Sequence, residues 1–503
     1  MTTDTKYTLL NAPCQSGKTF HMFKHMIQLF EQDTNVINLL FCDNSILQTQ
    51  QLNSRLNNDS SFEEYKNEAG NLSLTLSSKS KINNVDTLPT YFRRGYRNVV
   101  MCSNQKRVAG IQSIIDLFPE KKFNILIDEI DRNINLFSSH LANWNDSPSI
   151  LNILLITATP NRPLLKLGPM KIIKLEQSYL HDSYHKFQDS EFSFYESEET
   201  EDYVAKVLCD ETEELDPRTV WFMPSNVTKL GHYAIKDICL EHDMNCITIN
   251  SDGSYLFLAH PMKKIMFSIQ AGEELSNTLA RIYKKHNLHR KPLAITGMLC
   301  ISRGITISSS EMMITHAILP PKTGNVDSIY QLSARVSGNF RHLPNWRKPK
   351  VYCTANLYKR VREAENKAIQ LAEKCFQSDQ DIVSRADYRQ ADSKYDFHEA
   401  GPFTTLDLAY EFLNTKFKIV RNSRSNKPWI IDDGYYVSTG YNQVLKSDLT
   451  KKHRLSVEKF KKITRSYNLS NGSNGTNYRI YPVYQTLESN ATDFKWFIRY
   501  RTE

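Results

Sequence analysis

Eleven residues near the start of the chain, Leu9-Leu10-Asn11-Ala12-Pro13-Cys14-Gln15-Ser16-Gly17-Lys18-Thr19, constrain the fold more than any other stretch. A short apolar strand runs into a tight loop, and the loop runs into a helix beginning near Thr19. The spacing is that of G-x-x-x-x-G-K-[ST], with Ala12 in the first glycine position. A loop of this kind turns backbone N–H groups toward phosphate. Lys18 would reach the β and γ oxygens, the Thr19 hydroxyl would ligate Mg²⁺, and the helix dipole would favour the anion. The segment Ala12, Pro13, Cys14, Gln15, Ser16, Gly17, Lys18 and Thr19 is therefore read as a nucleotide site, with ATP the default nucleotide. Such a loop needs a strand feeding a helix, which points to an α/β fold.

The rest of the chain keeps that rhythm. Strands are predicted at Tyr7–Leu10, Val36–Cys42, Val99–Ser103, Phe123–Asp128 and Ile153–Thr157, with patterned helices between them. This is the pattern of a doubly wound parallel sheet, in which ligands gather at the carboxyl ends of strands. A second alternating region predicts strands at Thr219–Met223, Asn245–Asn250, Leu293–Thr296, His316–Leu319 and Lys350–Thr354. The expected division is an α/β domain over 1–180, a polar linker over 181–202, a second α/β domain over 203–385 and a small basic α+β domain over 386–503.

Charge singles out the last of these. From Thr415 to Glu503 there are 17 Lys and Arg against 7 Asp and Glu, while the whole chain is only +8. The excess belongs to the C-terminal segment, as expected for a nucleic-acid partner. There, Lys451, Lys452, Lys461 and Lys462 are interleaved with aromatics, which is suited to phosphates and stacked bases. In the terminal run Phe494–Arg501, strand alternation would place Lys495, Phe497, Arg499 and Arg501 on one face, with the opposite face packed into a core. That basic face, Arg499 included, is expected to meet nucleic acid. Nine cysteines form no C-x-x-C pair, and several lie in apolar runs. They read as reduced core thiols in an intracellular compartment, host cytoplasm or nucleus for a viral protein. No apolar run nears the ~20 residues of a membrane span, and the first residues lack a signal-peptide core, so no membrane partner is expected.

A second carboxylate-bearing strand completes the nucleotide chemistry. Asn124-Ile125-Leu126-Ile127-Asp128-Glu129-Ile130-Asp131 reads as a buried parallel strand delivering two acids to its end. Asp128 would hold Mg²⁺, and Glu129 would polarise the attacking water. Asp128-Glu129-Ile130-Asp131 resembles the DExD motif of superfamily-two (DExD/H-box-like) helicases. Thr157-Ala158-Thr159 resembles that family's S/T-A-T motif. Arg303-Gly304-Ile305-Thr306 resembles R-G-x-D, with Thr306 where aspartate is common. Gln331-Leu332-Ser333-Ala334-Arg335-Val336-Ser337-Gly338 resembles Q-x-x-G-R-x-x-R, with Ala334 for the glycine and Gly338 for the last arginine. The resemblance covers roughly residues 7–360. No adenine-reading motif is found in the eleven residues before Ala12.

The resemblance implies two tandem RecA-like domains with ATP in their cleft and Gly304 and Gln331 on its far wall. It implies an arginine finger, either Arg335 or Arg341, and nucleic acid running across strand-end loops. Asn44, Ser103, Asn104, Thr157, Ser225, Asn226 and Arg303 are the candidate contacts. It implies an ATP-dependent helicase or translocase, with DNA favoured over RNA and replication or repair proteins as further partners. The content of Asn, Lys and Tyr suggests a viral or phage source. The rival expectation is a nucleic-acid-dependent ATPase switch, or a replication-initiation or packaging scaffold, without unwinding, motivated by Ala12 and Gly338. A restriction-complex motor is a third, and no nuclease carboxylate–lysine cluster accompanies it.

Overall fold

The computed structural model describes residues 5–33, 35–66, 70, 72–78, 80, 82–175, 180, 182–196, 199–224, 228–270, 273–297, 304–319, 326–377, 381–391, 396–417, 429–438, 454–462 and 478–502. The chain divides into two compact units, Met1–Val383 and Ser384–Glu503.

The first unit contains two lobes, each built on an eight-stranded sheet. In the first lobe the strands are β1 (Tyr7–Asn11), β2 (Val36–Cys42), β3 (Ser73–Leu76), β4 (Asn98–Cys102), β5 (Lys122–Asp128), β6 (Ile150–Thr157) and β7 (Met170–Ile172). Their order is β7-β1-β6-β5-β2-β4-β3, all parallel, with the late strand Ile382–Val383 antiparallel on the β7 edge. Helices cover both faces, so β2 and β4 are buried at every residue and read as mainly apolar runs.

The interruptions in those runs are asparagines, and they form a ladder across the sheet. Thr8 donates to Asn152 at 2.8 Å, Asn152 to Asn124 at 3.3 Å, Asn124 to Asn38 at 2.8 Å and Asn38 to Asn98 at 2.9 Å. Each rung joins neighbouring strands β1, β6, β5, β2 and β4. A one-residue slip would leave buried amides unpaired, at about 1–3 kcal/mol each. The ladder thus fixes the register that aligns the carboxyl ends of β1, β6 and β5.

The second lobe begins earlier than the expected linker boundary. The 181–202 stretch carries β8 (Tyr184–His185), β9 (Glu191–Phe194) and the start of the helix Thr200–Asp210. Phe192 and Phe194 of β9 pack edge-on against Tyr358, so this stretch is an edge strand of the second sheet rather than a polar connector. The remaining strands are β10 (Val220–Phe222), β11 (Asn245–Asn250), β12 (Gly253–Leu258), β13 (Lys263–Phe267), β14 (Leu293–Gly297), β15 (His316–Ile318), β16 (Gly338–Asn339), which pairs with β8 alone, and β17 (Lys350–Cys353), while β18 (Ile382–Val383) is the strand already placed on the first sheet. The sheet runs β13-β12-β11-β14-β10-β15-β17-β9, parallel from β11 to β9. Strands β12 and β13 form an antiparallel hairpin on its edge. The two lobes are tandem RecA-like domains: in the first, β6 separates the loop-bearing β1 from the acid-bearing β5.

The C-terminal unit has β19 (Asp396–Phe403), β20 (Trp429–Asp432), β21 (Tyr435–Ser438), β22 (Tyr478–Tyr484) and β23 (Phe494–Thr502). They form an antiparallel sheet β19-β23-β22 and a separate hairpin β20-β21. Trp496, Ile498 and Tyr500 join its core with Ala409 and Leu413 of the helix Leu406–Asn414, as alternation predicts. Among the described residues no helix is long and apolar enough to cross a membrane.

Candidate functional site

The loop after β1 folds around its own carbonyls. Ser16 Oγ donates to the Pro13 carbonyl at 2.8 Å, and Lys18 Nζ donates to the carbonyls of Pro13 at 3.0 Å and Ala12 at 3.4 Å. Positive φ occurs at Gln15 and Gly17 but not at Ala12. The first motif position needs no glycine here, and a methyl group is accommodated without strain.

A cavity of about 290 Å³ opens beside this loop, and both lobes line it. The first lobe contributes Cys14, Gln15, Gly17, Lys18, Thr19, Arg55, Asp128 and Glu129. The second contributes Gly304, Thr306, Gln331, Arg335 and Asn339. Ala12, Pro13 and Ser16 lie beneath the loop, buried.

Asp128 ends β5, and its Oδ1 accepts the Glu129 N–H at 3.0 Å. Burial raises its pKa, with Asp131 and Asp43 adding to the rise. The Lys18 ammonium and the Glu129 N–H oppose it. Glu129 follows at φ 53 and caps the helix Ile130–Asp146, which turns its side chain away from the strand direction. Its Oε2 accepts a 2.7 Å hydrogen bond from Gln331 Nε2 of the other lobe.

Among the described residues no group of three or more His, Cys, Asp or Glu is arranged to hold a metal ion. Thr19 and Asp128 nevertheless line one cavity and offer hard oxygens. Mg²⁺ characteristically takes one or two protein ligands and completes its shell with water and substrate phosphate. Burial and two further carboxylates disfavour charge on Asp128, and a dication would relieve that. The residues fit the ion.

Thr157, a candidate nucleic-acid contact, is fully buried. Its hydroxyl donates to Asp131 Oδ1 at 2.9 Å and accepts the Thr159 N–H at 2.9 Å. It ties the end of β6 to the last acid of the Asp128–Asp131 run and faces no solvent. Ser103 is buried as well, donating to the Cys42 carbonyl. Asn104 caps the helix Gln105–Leu117 by accepting the Arg107 N–H at 3.1 Å. Asn44 is exposed. Ser225, Asn226, Arg303, Lys451 and Lys452 lie outside the described residues, as do the side chains of Lys461 and Lys462.

The two candidate fingers separate cleanly. Arg335 lines the cavity and is almost wholly buried, with Nη1 donating to the Ile305 carbonyl and Nε without a protein partner. Burial pulls its pKa down to about 10, against the opposing field of Cys14 and Glu129. Arg341 is elsewhere. It pairs with Asp189 at 3.1 Å and lies over Trp346, outside the cavity lining. The expectation that Arg341 serves the site is corrected: the strand pairing of Gly338 with His185 turns the chain away before residue 341.

Gly338 explains its own departure from the motif. At φ +127, a Cβ there would sit 2.7 Å from Gln15 Cβ. The glycine lets the second lobe close on the phosphate loop, where an arginine could not stand. At Gly304, φ +58, a Cβ would come within 2.1 Å of Gln48 Nε2, the end of a flexible side chain that would have to move aside.

Further residues that sequence reasoning missed hold the lobes together. Arg55 forms a fork on Glu274 at 2.9 and 3.0 Å and donates to Thr306 Oγ1 at 2.9 Å. The Cys14 N–H donates to the Tyr330 hydroxyl at 3.0 Å, and the Tyr184 hydroxyl donates to the Cys14 carbonyl at 3.2 Å. The only sequence hint was Thr306, standing where the motif has an acid.

The C-terminal unit corrects the reading of Arg499. It is buried against the ring of Phe460, bonded to Glu399 Oε1 at 3.0 Å and to the Phe460 carbonyl at 2.7 Å. The helix Val457–Lys462 packs on the face expected to be basic and open, Phe460 against Phe497, and Arg501 is buried as well, while Lys495 at the start of the strand stays exposed. Arg454 is similarly internal, 3.4 Å above Tyr435. Part of the unit's positive charge is spent inside its core.

Comparison with protein-family models returns no match, and no curated protein matches the sequence. Among solved structures the chain is similar to the DUF1998 helicase MrfA bound to DNA, at 14% identity over 78% of this chain and 57% of that one, with TM-score 0.44. It is also similar to Mss116p bound to ssRNA and AMP-PNP, at 11% identity over 73% and 70%, with TM-score 0.42. A DEAD box protein from the hyperthermophile Methanococcus jannaschii matches at 17% identity over 73% and 87%, with TM-score 0.36. The chain thus spans little more than half the length of MrfA. The assignment of tandem RecA-like domains stands on strand order and register.

Proposed function

We propose that the protein is an ATP-dependent helicase or translocase that hydrolyses ATP between its two RecA-like lobes and acts on nucleic acid, DNA before RNA. One observation carries the reading: Lys18, Asp128 and Glu129 from one lobe line the same cavity as Gln331 and Arg335 from the other. Lys18 and Arg335 supply positive charge for a polyphosphate. Glu129, held by Gln331, is oriented to accept a proton from water. Thr19 and Asp128 would hold Mg²⁺, which neutralises phosphate charge when bound. A buried arginine from the second lobe stabilises the charge of phosphoryl transfer only while the lobes are together, so turnover is gated by closure.

The test is ATP hydrolysis with single- and double-stranded DNA and RNA, beside strand displacement on tailed duplexes. Stimulation by one nucleic acid, displacement of a strand and loss of both in Lys18→Ala are expected. Turnover that survives Lys18→Ala would refute the site. Stimulated hydrolysis without displacement would favour the ATPase switch. Sterically, neither Ala12 nor Gly338 argues for that switch, since each fits its backbone and its neighbours.

A further inference from the structure

The hairpin β12–β13 has one face that the fold does not use. Cross-strand partners share a face, so the register sorts the side chains. Leu256 pairs with Ile265 and Leu258 with Lys263; Leu256 is fully buried, and Leu258 and Ile265 pack on the lobe core with Leu275 and Leu279. Tyr255 pairs with Met266 and Phe257 with Lys264, and these four side chains occupy the outer face. There Met266 is 72% exposed, and Tyr255 and Phe257 are half-buried.

That face is aromatic, cationic and rigid. Lys264 Nζ lies 4.1 Å from the Tyr255 ring centre and 5.7 Å from that of Phe257, and Lys236 Nζ lies 5.2 Å from Phe257. Tyr255 is fixed by its hydroxyl, which donates to the Asp252 carbonyl at 2.9 Å. Its ring lies across Gly253, where a Cβ would meet it at 3.4 Å. No Asp or Glu occurs between Gly253 and Gln270. The hairpin leaves the carboxyl end of β11, where ligands of doubly wound folds sit, and runs back along that strand, so that Tyr255 lies beside Thr248 and Phe257 beside Cys246.

We propose that the outer face of this hairpin is a base-stacking platform for single-stranded nucleic acid, extending the track beyond the strand-end loops. This rests on the nucleic-acid reading above. Charge complementarity selects the occupant: preset rings offer base-stacking surfaces, while Lys264 above them can turn to a phosphate; Lys236 is already paired with Asp237. A cation over an exposed ring is worth less than a stacked base, so the exchange is favourable.

The experiment measures binding of fluorescein-labelled oligothymidylates, one short enough to span only the lobe cleft and one longer, to the full chain. The double variant Tyr255→Ala/Phe257→Ala should lose about tenfold in affinity for the longer strand, with the shorter one unaffected. Basal ATPase and the thermal midpoint should not change. Tyr255→Trp should retain wild-type affinity. Lys264→Gln should flatten the salt dependence of binding by about 0.7 in log–log slope, one phosphate contact. Wild-type affinity in the double variant would overturn the platform. So would a change in sedimentation with affinity intact, which would give the face to a second copy of the chain. If the wild-type protein binds neither strand while hydrolysing ATP, the underlying reading fails and takes the platform with it.

Discussion

Glu365 lies within the helix Ala355–Gln377, wholly buried, and it holds the segment entering the second lobe. Its carboxylate accepts the Phe187 N–H at 3.1 and 2.9 Å and the Tyr184 hydroxyl at 3.4 Å. Burial dominates these favourable contacts and pushes its pKa from 4.5 up to about 7. The sign follows from proton counts. Above pH 4.5 the unfolded chain releases this proton while the folded chain keeps it until near pH 7, so stability falls as pH rises through that window. At about 1.4 kcal/mol per pKa unit the loss is about 3 kcal/mol, complete above neutrality. Glu365→Gln keeps the shape and removes the titration. Urea unfolding of both proteins from about pH 4.5 to pH 8 measures it, with the variant-minus-wild-type difference cancelling other titrating groups. That difference should climb by about 3 kcal/mol in favour of the variant as pH rises. A difference that stays flat would show that Glu365 is charged in the fold at all these pH values, and that the N–H and hydroxyl contacts outweigh burial.

Three further outcomes test the site and its corrections. Arg335→Ala should lower kcat for ATP by about 10³-fold or more, as expected for a finger, while Arg341→Ala should stay within about twofold; the reverse order in steady-state kinetics would restore Arg341. Gly338→Ala places a methyl against Gln15 at a strained φ and should cost about 2 kcal/mol in denaturation together with a raised KM for ATP, whereas an unaffected variant would mean that the close approach is relaxed. Arg499→Met removes a buried guanidinium bonded to Glu399 and the Phe460 carbonyl, and should cost about 2 kcal/mol in stability without altering the salt slope of nucleic-acid binding; a reduced slope with unchanged stability would return Arg499 to the surface.

The elements most legible in the sequence were those whose burial is two-sided. The ten expected strands of the two lobes are short, mostly apolar and largely buried, and each falls on an observed strand. The hairpin β12–β13, the short β7 and the edge strand β9 were not foreseen, because an edge strand carries mixed residues and looks like a loop. Lys18, Asp128, Glu129, Gln331 and Arg335 come together in one cavity as the motif spacing implied, because each stands at a strand end, at a helix start or on the short segment from Tyr330 to Arg335. Ser103, Thr157, Arg341 and Arg499 were misread for a common reason: a polar side chain at a strand end or in a basic run has no visible partner in one dimension. Asp131, Asp189 and Glu399 lie 26, 152 and 100 residues away from Thr157, Arg341 and Arg499 respectively. Buried pairs of that separation are invisible to spacing.

The same separation governs how the site works. The phosphate loop is not complete within its own lobe. Its Cys14 peptide is held from the N–H side by Tyr330 and from the carbonyl side by Tyr184, and Tyr184 is in turn bonded to Glu365. Tyr330 precedes Gln331, which grips Glu129, and lies five residues before Arg335 on the same short segment. One stretch of the second lobe therefore touches the loop backbone, holds Glu129 and brings Arg335 to the cavity. Opening the lobes must break the Tyr330, Tyr184 and Gln331 bonds together. On the proposed function, a chain built this way does not need the motif's last arginine to make hydrolysis conditional on closure, because the segment from Tyr330 to Arg335 already reaches the loop, Glu129 and the cavity. That is why Gly338 can be given over to close packing against Gln15.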